Sequence, residues 1–555
     1  MSASSKKKLR KEQNAAQLTE KQIKGQQDAK KLRIYTTVFA IAMALILIIA
    51  AVTVVDKLIA KTGIRERNTV ALTVDDVELT CEDLNFYYID LINNFYNNLY
   101  STYGSEASLY ASLMYGVDFN SPLSTQVYSE EDGTTWADYF LDMAINNATD
   151  MVAIANAATA AGYTMTEEEQ TSTNEIIESL RASATEMLGY ETFEEYLQSY
   201  YGNAATEEAF LKYYNTTYLA QSYIASHQES LSYDDADLRA YEADKLNQFS
   251  SYTYNSYYLS VSNFLEGGTT DDEGNVSHSD EEWAAAEAAA EAAAKQIIGN
   301  GTTTVKAFND AIAALKINEG SDASSTAYTD QLYSNVNSYI RDWVTDESRK
   351  TGDSACIANV STDEDGNDDL YGYYVVNFTG STDNAFPMAN VRHLLVSFEG
   401  GTTDDYGTTT YSDEEKKAAR DEAEKLLAEW KSGEATEDSF AALVTEKTDD
   451  TASAATGGLY EDISPDSNYV ANFLNWAIDD SRQVGDTDIV ETEYGCHIMY
   501  YVGDSTTTYR DSLIETALFN HDHDTWYNSI VDAATVVEGN TSLINGNVTI
   551  STSTY

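Results

Sequence analysis

Apolar residues in the first half of the chain recur every three or four positions, the spacing of a helix with one buried face. The clearest run consists of Leu84, Tyr88, Leu91, Phe95 and Leu99. Thr80 stands just before that run and can cap a helix, with Asp83 three residues on. The preceding residues, 70–80, instead alternate around the polar pair Asp75-Asp76, which predicts a small hairpin. Helical stretches continue to about residue 245, so we expect a mainly helical region over 69–247.

A run without any charged residue, from Ile34 to Val55, precedes that region. A helix rises about 1.5 Å per residue and the hydrocarbon layer is about 30 Å thick, which predicts a transmembrane helix over 34–55 in contact with the lipid bilayer. Lys and Arg outnumber Asp and Glu over residues 1–33. The positive-inside rule therefore predicts a basic cytoplasmic tail on a single-pass cell membrane protein, with the bulk of the chain extracytoplasmic. A cleaved signal is the alternative, but its apolar region is normally shorter, about 7–15 residues.

An internal repeat organises the second half of the chain. The sequence EGGTTDD at Glu266–Asp272 recurs at Glu399–Asp405, and later tryptophan, arginine and glycine positions match at the same spacing. A collinear series of matches indicates two copies of one domain, over 250–380 and 388–503.

Each copy has the same predicted order of elements: a strand, a polar loop, a long helix, shorter helices and two strands. The predicted fold class is therefore α+β, with the transmembrane helix and the helical region ahead of the two repeated domains. Residues 506–555 complete the chain as a helical stretch followed by a Ser/Thr/Asn-rich tail.

Composition narrows the possible partners. The 555 residues include 33 Lys plus Arg and 91 Asp plus Glu, for a net charge of -58. Such a charge repels phosphate backbones, so nucleic acid is excluded as a partner. The three cysteines, Cys81, Cys356 and Cys496, form neither a metal-binding pair nor a dense disulfide framework, and we treat them as free thiols, although one bridge remains possible.

Three candidate residues for chemistry lie in the second copy. His393 occurs in VRHLLV, Asp450 in TEKTDDTASAATGGL and His497 in VETEYGCHIMYYV. Taken alone, a strand histidine is more often a hydrogen-bonded core residue than a catalytic one. Together, however, these motifs resemble the parvulin family of peptidyl-prolyl isomerases over nearly all of 388–503.

The resemblance implies roles for individual residues. His393 and His497 match the two histidines that stand side by side beneath a parvulin active site, and Asp450 takes the position of the family's acid or cysteine. Leu459 matches a pocket leucine, and Tyr494 the residue beside the second histidine.

The family's pocket aromatic corresponds to Phe473 or Trp476, and we assign it to Phe473. Isomerisation of an X-Pro bond crosses a barrier of about 18–20 kcal/mol without breaking any bond. The implied substrates are unfolded or newly exported polypeptides with X-Pro bonds, and no metal or cofactor is implied.

The first copy lacks both histidines. Aligned through Val261-Ser262 with Val396-Ser397, Tyr258 replaces His393, and Tyr374 replaces His497. We therefore expect the first copy to keep the fold without isomerase activity.

The whole layout resembles extracytoplasmic foldases of the PrsA/SurA class. That resemblance implies a membrane-anchored isomerase whose helical region is a chaperone for exported proteins. The alternative is a non-catalytic holdase that uses its parvulin folds as client-binding scaffolds.

Overall fold

The computed structural model describes residues 4–8, 43, 61–270, 276–317, 323–362, 368–404 and 407–544. Two compact units divide the chain. One consists of Met1–Leu231 with Asp522–Tyr555, and the other is Ser232–His521.

The first unit is mainly helical, and the second combines helices with strands. In chain order, the helices are α1 Ile64–Asn68, α2 Cys81–Tyr103, α3 Ala107–Tyr115, α4 Trp136–Ala160, α5 Glu167–Ala182, α6 Phe193–Tyr201, α7 Glu207–Ser230, α8 Asp235–Glu242, α9 Asp280–Ile298, α10 Val305–Ala314, α11 Ser338–Val344, α12 Asp413–Ser432, α13 Glu437–Lys447, α14 Ala471–Ala477 and α15 Tyr509–Val531. The strands are β1 Val70–Val74, β2 Val77–Thr80, β3 Ser251–Ser260, β4 Thr269–Thr270, β5 Val276–Ser277, β6 Thr326–Leu332, β7 Ser354–Thr362, β8 Asp368–Thr382, β9 Pro387–Ser397, β10 Thr402–Thr403, β11 Thr409–Thr410, β12 Leu459–Ile463, β13 Thr487–Glu491, β14 Gly495–Thr508 and β15 Val536–Glu538.

The predicted transmembrane helix requires a correction. No helix among the described residues combines the length and the apolar character needed to cross a bilayer. Apart from Met43, residues 34–55 lie outside the described part of the chain, as does most of the tail over 1–33. Over the described residues the fold class is a mixture of helices and sheets, and the predicted transmembrane helix and single-pass localisation are withdrawn.

In the first unit the predicted hairpin follows the short helix α1. β1 pairs antiparallel with β2, and Asp75 turns the chain with a positive φ of 53°. The Thr80 side chain accepts a hydrogen bond from the backbone N–H of Asp83, whose carboxylate in turn accepts from the N–H of Thr80. This capping box satisfies two backbone donors that a helix start leaves unpaired, so α2 begins at Cys81.

Helices α2, α4 and α7 supply most of the core of this unit, through apolar residues such as Leu84, Phe140 and Ala220. A third strand, β15, pairs antiparallel with β1. The predicted Ser/Thr/Asn-rich tail therefore contains a short strand, and its residues from 545 onward lie outside the described part of the chain.

The second unit contains two four-stranded antiparallel sheets with the same topology. Their strand orders are β6-β3-β8-β7 and β12-β9-β14-β13. In each sheet the two central strands are the first and the last of the repeated segment. These correspondences agree with the sequence repeat.

Helices cover both faces of the β12-β9-β14-β13 sheet. On one face Leu394 and Ile498 pack against α12 and α13. On the other, Val391 and Met499 pack against Phe473 of α14. Since side chains alternate between faces along a strand, His393 lies on the α14 side together with Val391.

Candidate active site

His393 and His497 occupy neighbouring central strands of the second sheet. In the β9–β14 ladder, His393 is opposite Met499 and His497 is opposite Leu395. The two rings meet diagonally, with 3.1 Å between their Nδ1 atoms. Both side chains are buried, with 3% and 6% exposure.

Hydrogen-bond partners define which ring nitrogens carry protons. The Nε2 of His393 lies 3.1 Å from an Asp450 carboxylate oxygen, which can only accept when ionised, so this nitrogen carries a hydrogen. In the neutral ring the Nδ1 of His393 then accepts from the Nδ1–H of His497. That leaves the Nε2 of His497 as the acceptor for the Thr492 hydroxyl, at 2.9 Å. The result is one continuous chain of donors from Thr492 to Asp450.

Asp450 is placed by the loop that follows α13. Its backbone N–H donates to the Thr448 hydroxyl at 3.2 Å, and the same hydroxyl accepts from the N–H of Leu395 in β9 at 3.1 Å. Its carboxylate accepts hydrogen bonds from Ser453 at 2.5 Å and Tyr460 at 3.2 Å. The loop therefore holds this carboxylate against the strand that carries the first histidine.

The electrostatics keep both rings neutral and the acid ionised near neutral pH. Burial, together with the neighbouring His393, lowers the pKa of His497 to about 4. Burial also lowers the pKa of His393, against the opposing effect of the Asp450 charge. For Asp450 burial acts to raise the pKa, but the Ser453 hydrogen bond and the neighbouring His393 outweigh it, and the net pKa is lowered. These directions fit the proton positions inferred from the hydrogen bonds.

Gly457 and Gly458 allow the Asp450 loop to return to the sheet. Both have positive φ angles, 64° and 71°. A Cβ atom on Gly458 would lie 2.2 Å from the carbonyl oxygen of His393. The carbonyl of Gly458 accepts the N–H of His393 at 3.0 Å. Only glycine permits this approach of loop backbone to strand backbone.

Aromatic side chains surround the histidine pair on the α14 side. The Phe473 ring packs edge-on against both imidazoles, with centroid distances of 5.4 Å to His393 and 5.5 Å to His497. Tyr460 lies 4.9 Å from the His393 ring, and Tyr469 lies 5.3 Å from Phe473. Phe473 was the aromatic assigned to the pocket, and it stands beside the histidines.

Trp476, the alternative candidate for the pocket aromatic, packs against an arginine. Trp476 is buried beneath Arg482, whose guanidinium lies 4.4 Å from the ring centroid.

The other two predicted pocket residues lie elsewhere. Leu459 is opposite Arg392 in the β12–β9 ladder, and directly opposed side chains share a face of a sheet. Its side chain is therefore on the α12–α13 side, whereas the next residue, Tyr460, is on the histidine side. Tyr494 is 61% exposed, and its backbone N–H donates to the Thr492 hydroxyl.

Three polar residues of this network were not predicted from the sequence: Ser453, Tyr460 and Thr492. Ser453 stands in the small-residue run between Asp450 and the glycine pair, and Thr492 stands in the TEYG turn before His497. The sequence does show a hydroxyl residue within a few positions of Asp450 and of His497. It does not show the backbone geometry that turns these hydroxyls towards the two side chains.

The first copy differs from the predicted alignment at one position. In the β3–β8 ladder Ser256 is opposite Val376, and Tyr258 is opposite Tyr374. Tyr374 corresponds to His497, since Ile357 and Val490 are their respective partners on the outer strand. Ser256 then corresponds to His393, and the assignment of Tyr258 to that position was wrong.

A helical turn that the second copy lacks explains the slip. Val261–Phe264 forms four residues of 3-10 helix between β3 and the EGGTTDD loop. The predicted alignment matched Val261-Ser262, which lie in this turn, with Val396-Ser397 of β9. It therefore paired the residues of β3 with the wrong residues of β9. Both histidine positions are nevertheless occupied by other residues, Ser256 and Tyr374.

In the described part of the chain, no group of three or more His, Cys, Asp or Glu side chains is placed to hold a metal ion. The three cysteines are free, with Cys81 and Cys496 buried.

Comparison with known proteins assigns a family to this part of the chain. Residues 373–504 match the family model of the PPIC-type PPIASE domain. The matched segment runs from within β8 to β14 and contains His393, Asp450 and His497. The chain therefore carries a peptidyl-prolyl isomerase domain of the parvulin type. No curated protein matches the chain.

Several solved structures show a limited likeness. Peptidylprolyl isomerase (PrsA) from Bacillus anthracis is 16% identical, with 27% of this chain and 59% of that chain covered and a TM-score of 0.17. PrsA from Bacillus subtilis is 20% identical, with 29% and 55% covered and a TM-score of 0.17. Foldase protein PrsA from Streptococcus pneumoniae is 13% identical, with 27% and 49% covered and a TM-score of 0.16. The chain thus spans less than two thirds of these structures, and the identification depends on the family match.

Proposed function

We propose that this protein catalyses cis–trans isomerisation of X-Pro bonds at the face formed by His393, His497 and Asp450, and that it assists the folding of the polypeptides that carry them. The observation that carries the proposal is the buried hydrogen-bond chain from Thr492 to Asp450. That chain lies within the segment matched by the isomerase family.

The proposed chemistry is electrostatic. Resonance in a planar amide places negative charge on the carbonyl oxygen, and it is lost when the bond twists. A fixed carboxylate near that oxygen raises the energy of the planar form relative to the twisted one, which lowers the barrier. Asp450 is the carboxylate in this role, and the two neutral histidines hold its position and charge. No bond forms or breaks.

The substrate pocket in this proposal is aromatic. Phe473 is 3% exposed and supports the pocket from below, while the more accessible Tyr460 and Tyr469 contact the proline ring. Tyr460 takes over the role first assigned to Leu459. The exposed ring of Tyr494 contacts the peptide at the rim.

A pair of neighbouring acids tests the role of Asp450. Asp450→Asn should reduce the isomerisation rate of an X-Pro peptide at least about tenfold, which corresponds to about 1.4 kcal/mol of barrier. Asp449→Asn is the matched control, because this exposed carboxylate accepts from the N–H of Ser397 and lies outside the hydrogen-bond chain of the two histidines. Equal rates for the two full-length variants would contradict the proposal.

We further propose that the helical region binds unfolded chains. Support comes from α3, which carries apolar side chains one turn apart on its exposed surface, Leu109 and Leu113, the latter 72% exposed. Clustered exposed apolar side chains are typical of binding surfaces. A purely binding protein is the competing function favoured by the same observation.

Aggregation of a denatured reporter protein separates the two functions. Leu109→Ser with Leu113→Ser should weaken suppression of aggregation without changing isomerisation, whereas Glu168→Ser on α5 should change neither. Suppression by a full-length chain that shows no isomerisation would leave only the binding function.

A further inference from the structure

Equivalent grooves lie at the same end of the two sheets in the second unit. The groove of the second copy has a volume of about 610 Å³ and is lined by Phe386, Ala389, Ile463, Ile478, Asp480 and Asp504, among others. The groove of the first copy, about 500 Å³, is lined by Tyr252, Thr345, Glu347 and Ser381 at corresponding places. Both volumes fall in the usual range for ligand sites, about 300–1,000 Å³.

Strand register establishes the correspondence. Tyr252 is opposite Ser381 and Gln331 in the first sheet, and Ala389 is opposite Asp504 and Ile463 in the second.

The helices beside the grooves correspond as well. In each copy a short helix, α11 or α14, ends just before two acidic residues. In each copy the first acid of the pair is bridged to an arginine, Asp346 to Arg349 at 3.6 Å and Asp479 to Arg482 at 3.5 Å.

An arginine of the same chain forms part of the wall of the first copy's groove. Arg510 lines it with its side chain only 11% exposed. The guanidinium donates to Glu242 at 2.5 Å and to the carbonyls of Leu246 and Asp383 at 2.8 and 2.9 Å. It also lies 5.8 Å from the ring centroid of Phe249. The wall of this groove therefore holds a guanidinium between a carboxylate and an aromatic ring.

The groove of the second copy also has acidic and aromatic residues. Phe386 precedes Ala389 as Phe249 precedes Tyr252, and its side chain is 38% exposed. Asp479, Asp480 and Asp504 line the groove, whose described lining contains no Lys, Arg or His. Asp504 stands where the first groove has the neutral Ser381.

We propose that the second groove binds an arginine side chain, flanked by apolar residues, from an extended segment of a client polypeptide. The inference deepens the proposed function and rests on it for the identity of the client.

The geometry sets where that arginine stands relative to the proline. Ala389 and His393 are four residues apart on β9 and on the same face, a distance of about 13 Å at about 3.3 Å per residue. An extended client has nearly the same rise. The arginine is thus about four residues from the isomerised proline.

Binding of a proline-free peptide tests the groove independently of isomerisation. The probe is a labelled 12-residue Gly/Ser peptide with a central Leu-Arg-Leu, compared by fluorescence anisotropy with the same peptide carrying Gln for Arg. The full-length chain should bind the Arg peptide about fivefold more tightly, the factor that corresponds to about 1 kcal/mol for a partly exposed ion pair.

Two lysine substitutions separate the groove from the overall negative charge. Asp480→Lys should abolish the preference for Arg, since the Asp480 carboxylate is exposed in the groove. Glu434→Lys makes the same change of charge in the exposed turn between α12 and α13 and should leave the preference intact. Equal effects of the two variants, or equal binding of the Arg and Gln peptides, would overturn the proposal.

A second pair of measurements shows whether the groove binds a client polypeptide or a second copy of this chain. For X-Pro peptides with Arg four residues before or after the proline, kcat/KM should rise about fivefold over the Gln versions for at least one placement, and Asp480→Lys should remove the gain. No gain at either placement would overturn the link to the client proline. Self-association that Asp480→Lys abolishes in sedimentation would identify a second copy as occupant and overturn the client proposal. Arg binding without any isomerisation would instead refute the proposed catalysis and leave the groove standing.

Discussion

Thr492→Val removes one link of the donor chain while keeping nearly the same shape. The Thr492 hydroxyl lies 2.9 Å from the Nε2 of His497, and the two residues are 8% and 6% exposed. Valine has a methyl group in place of the hydroxyl, so the imidazole nitrogen would be left buried without a donor. Water has little access to replace that donor.

The structure gives the magnitude of the effect. Leaving a buried acceptor unsatisfied costs about 1–3 kcal/mol, more than the net value of an average hydrogen bond. The variant also removes the acceptor for the N–H of Tyr494, but that residue is largely exposed and its N–H can turn to water. We therefore expect the segment around β9 and β14 to lose about 1–3 kcal/mol of opening free energy.

Hydrogen exchange of the full-length chain, resolved by mass spectrometry, measures that loss locally. Peptides from β9 and β14 should exchange faster in Thr492→Val than in the unmodified chain, while peptides from the first copy should not change. Thr492→Ser keeps the hydroxyl and is the matched control. Protection unchanged in the valine variant, or lowered equally in both variants, would refute the assigned donor chain.

Two further predictions concern the same site. The pKa of His497 is lowered to about 4, so the neutral ring is favoured by folding, and the free energy of unfolding should fall as pH drops from about 6.5, the unfolded value, towards 4, by about 3 kcal/mol in total. The His497 ring signals in an NMR titration should show a midpoint near pH 4, and a midpoint near 6.5 would contradict the burial argument. Gly458→Ala should destabilise the domain by more than the strain of a positive φ alone, about 1–3 kcal/mol, because its Cβ would meet the His393 carbonyl. Gly485→Ala, with a similar φ and only an ordinary contact at 3.9 Å, is the control in thermal unfolding, and equal losses would count against the close approach.

Local sequence patterns predicted the parts of the fold that depend on neighbouring residues. Thr80 and Asp83 form the expected capping box at the start of α2. The adjacency of His393 and His497, which are 104 residues apart in the chain, was expected only from the resemblance to the parvulin family. The capping box, in contrast, depends on residues three apart.

Strand register was not accessible in the same way. A one-residue difference places Tyr460 rather than Leu459 beside His393, and a four-residue turn shifts Ser256 rather than Tyr258 into the first histidine position. Register depends on hydrogen bonds between distant segments, and a one-residue slip moves every side chain to the other face. The short exposed strand β15 has no apolar alternation strong enough to predict it.

Composition was a poor guide to one element. The uncharged run over 34–55 led to a transmembrane helix, yet no helix in the described residues could span a bilayer. Hydropathy over a window identifies a segment that tolerates lipid. It does not by itself establish a membrane-spanning helix.

Exchange NMR on an X-Pro peptide tests the central claim most directly. The full-length chain at catalytic concentration should make exchange between the cis and trans signals much faster than in the free peptide. Without a catalyst this exchange takes on the order of tens to hundreds of seconds. His393→Ala with His497→Ala should reduce the catalysed rate at least about tenfold. Exchange no faster than in the free peptide, or a double variant as active as the unmodified chain, would contradict the account.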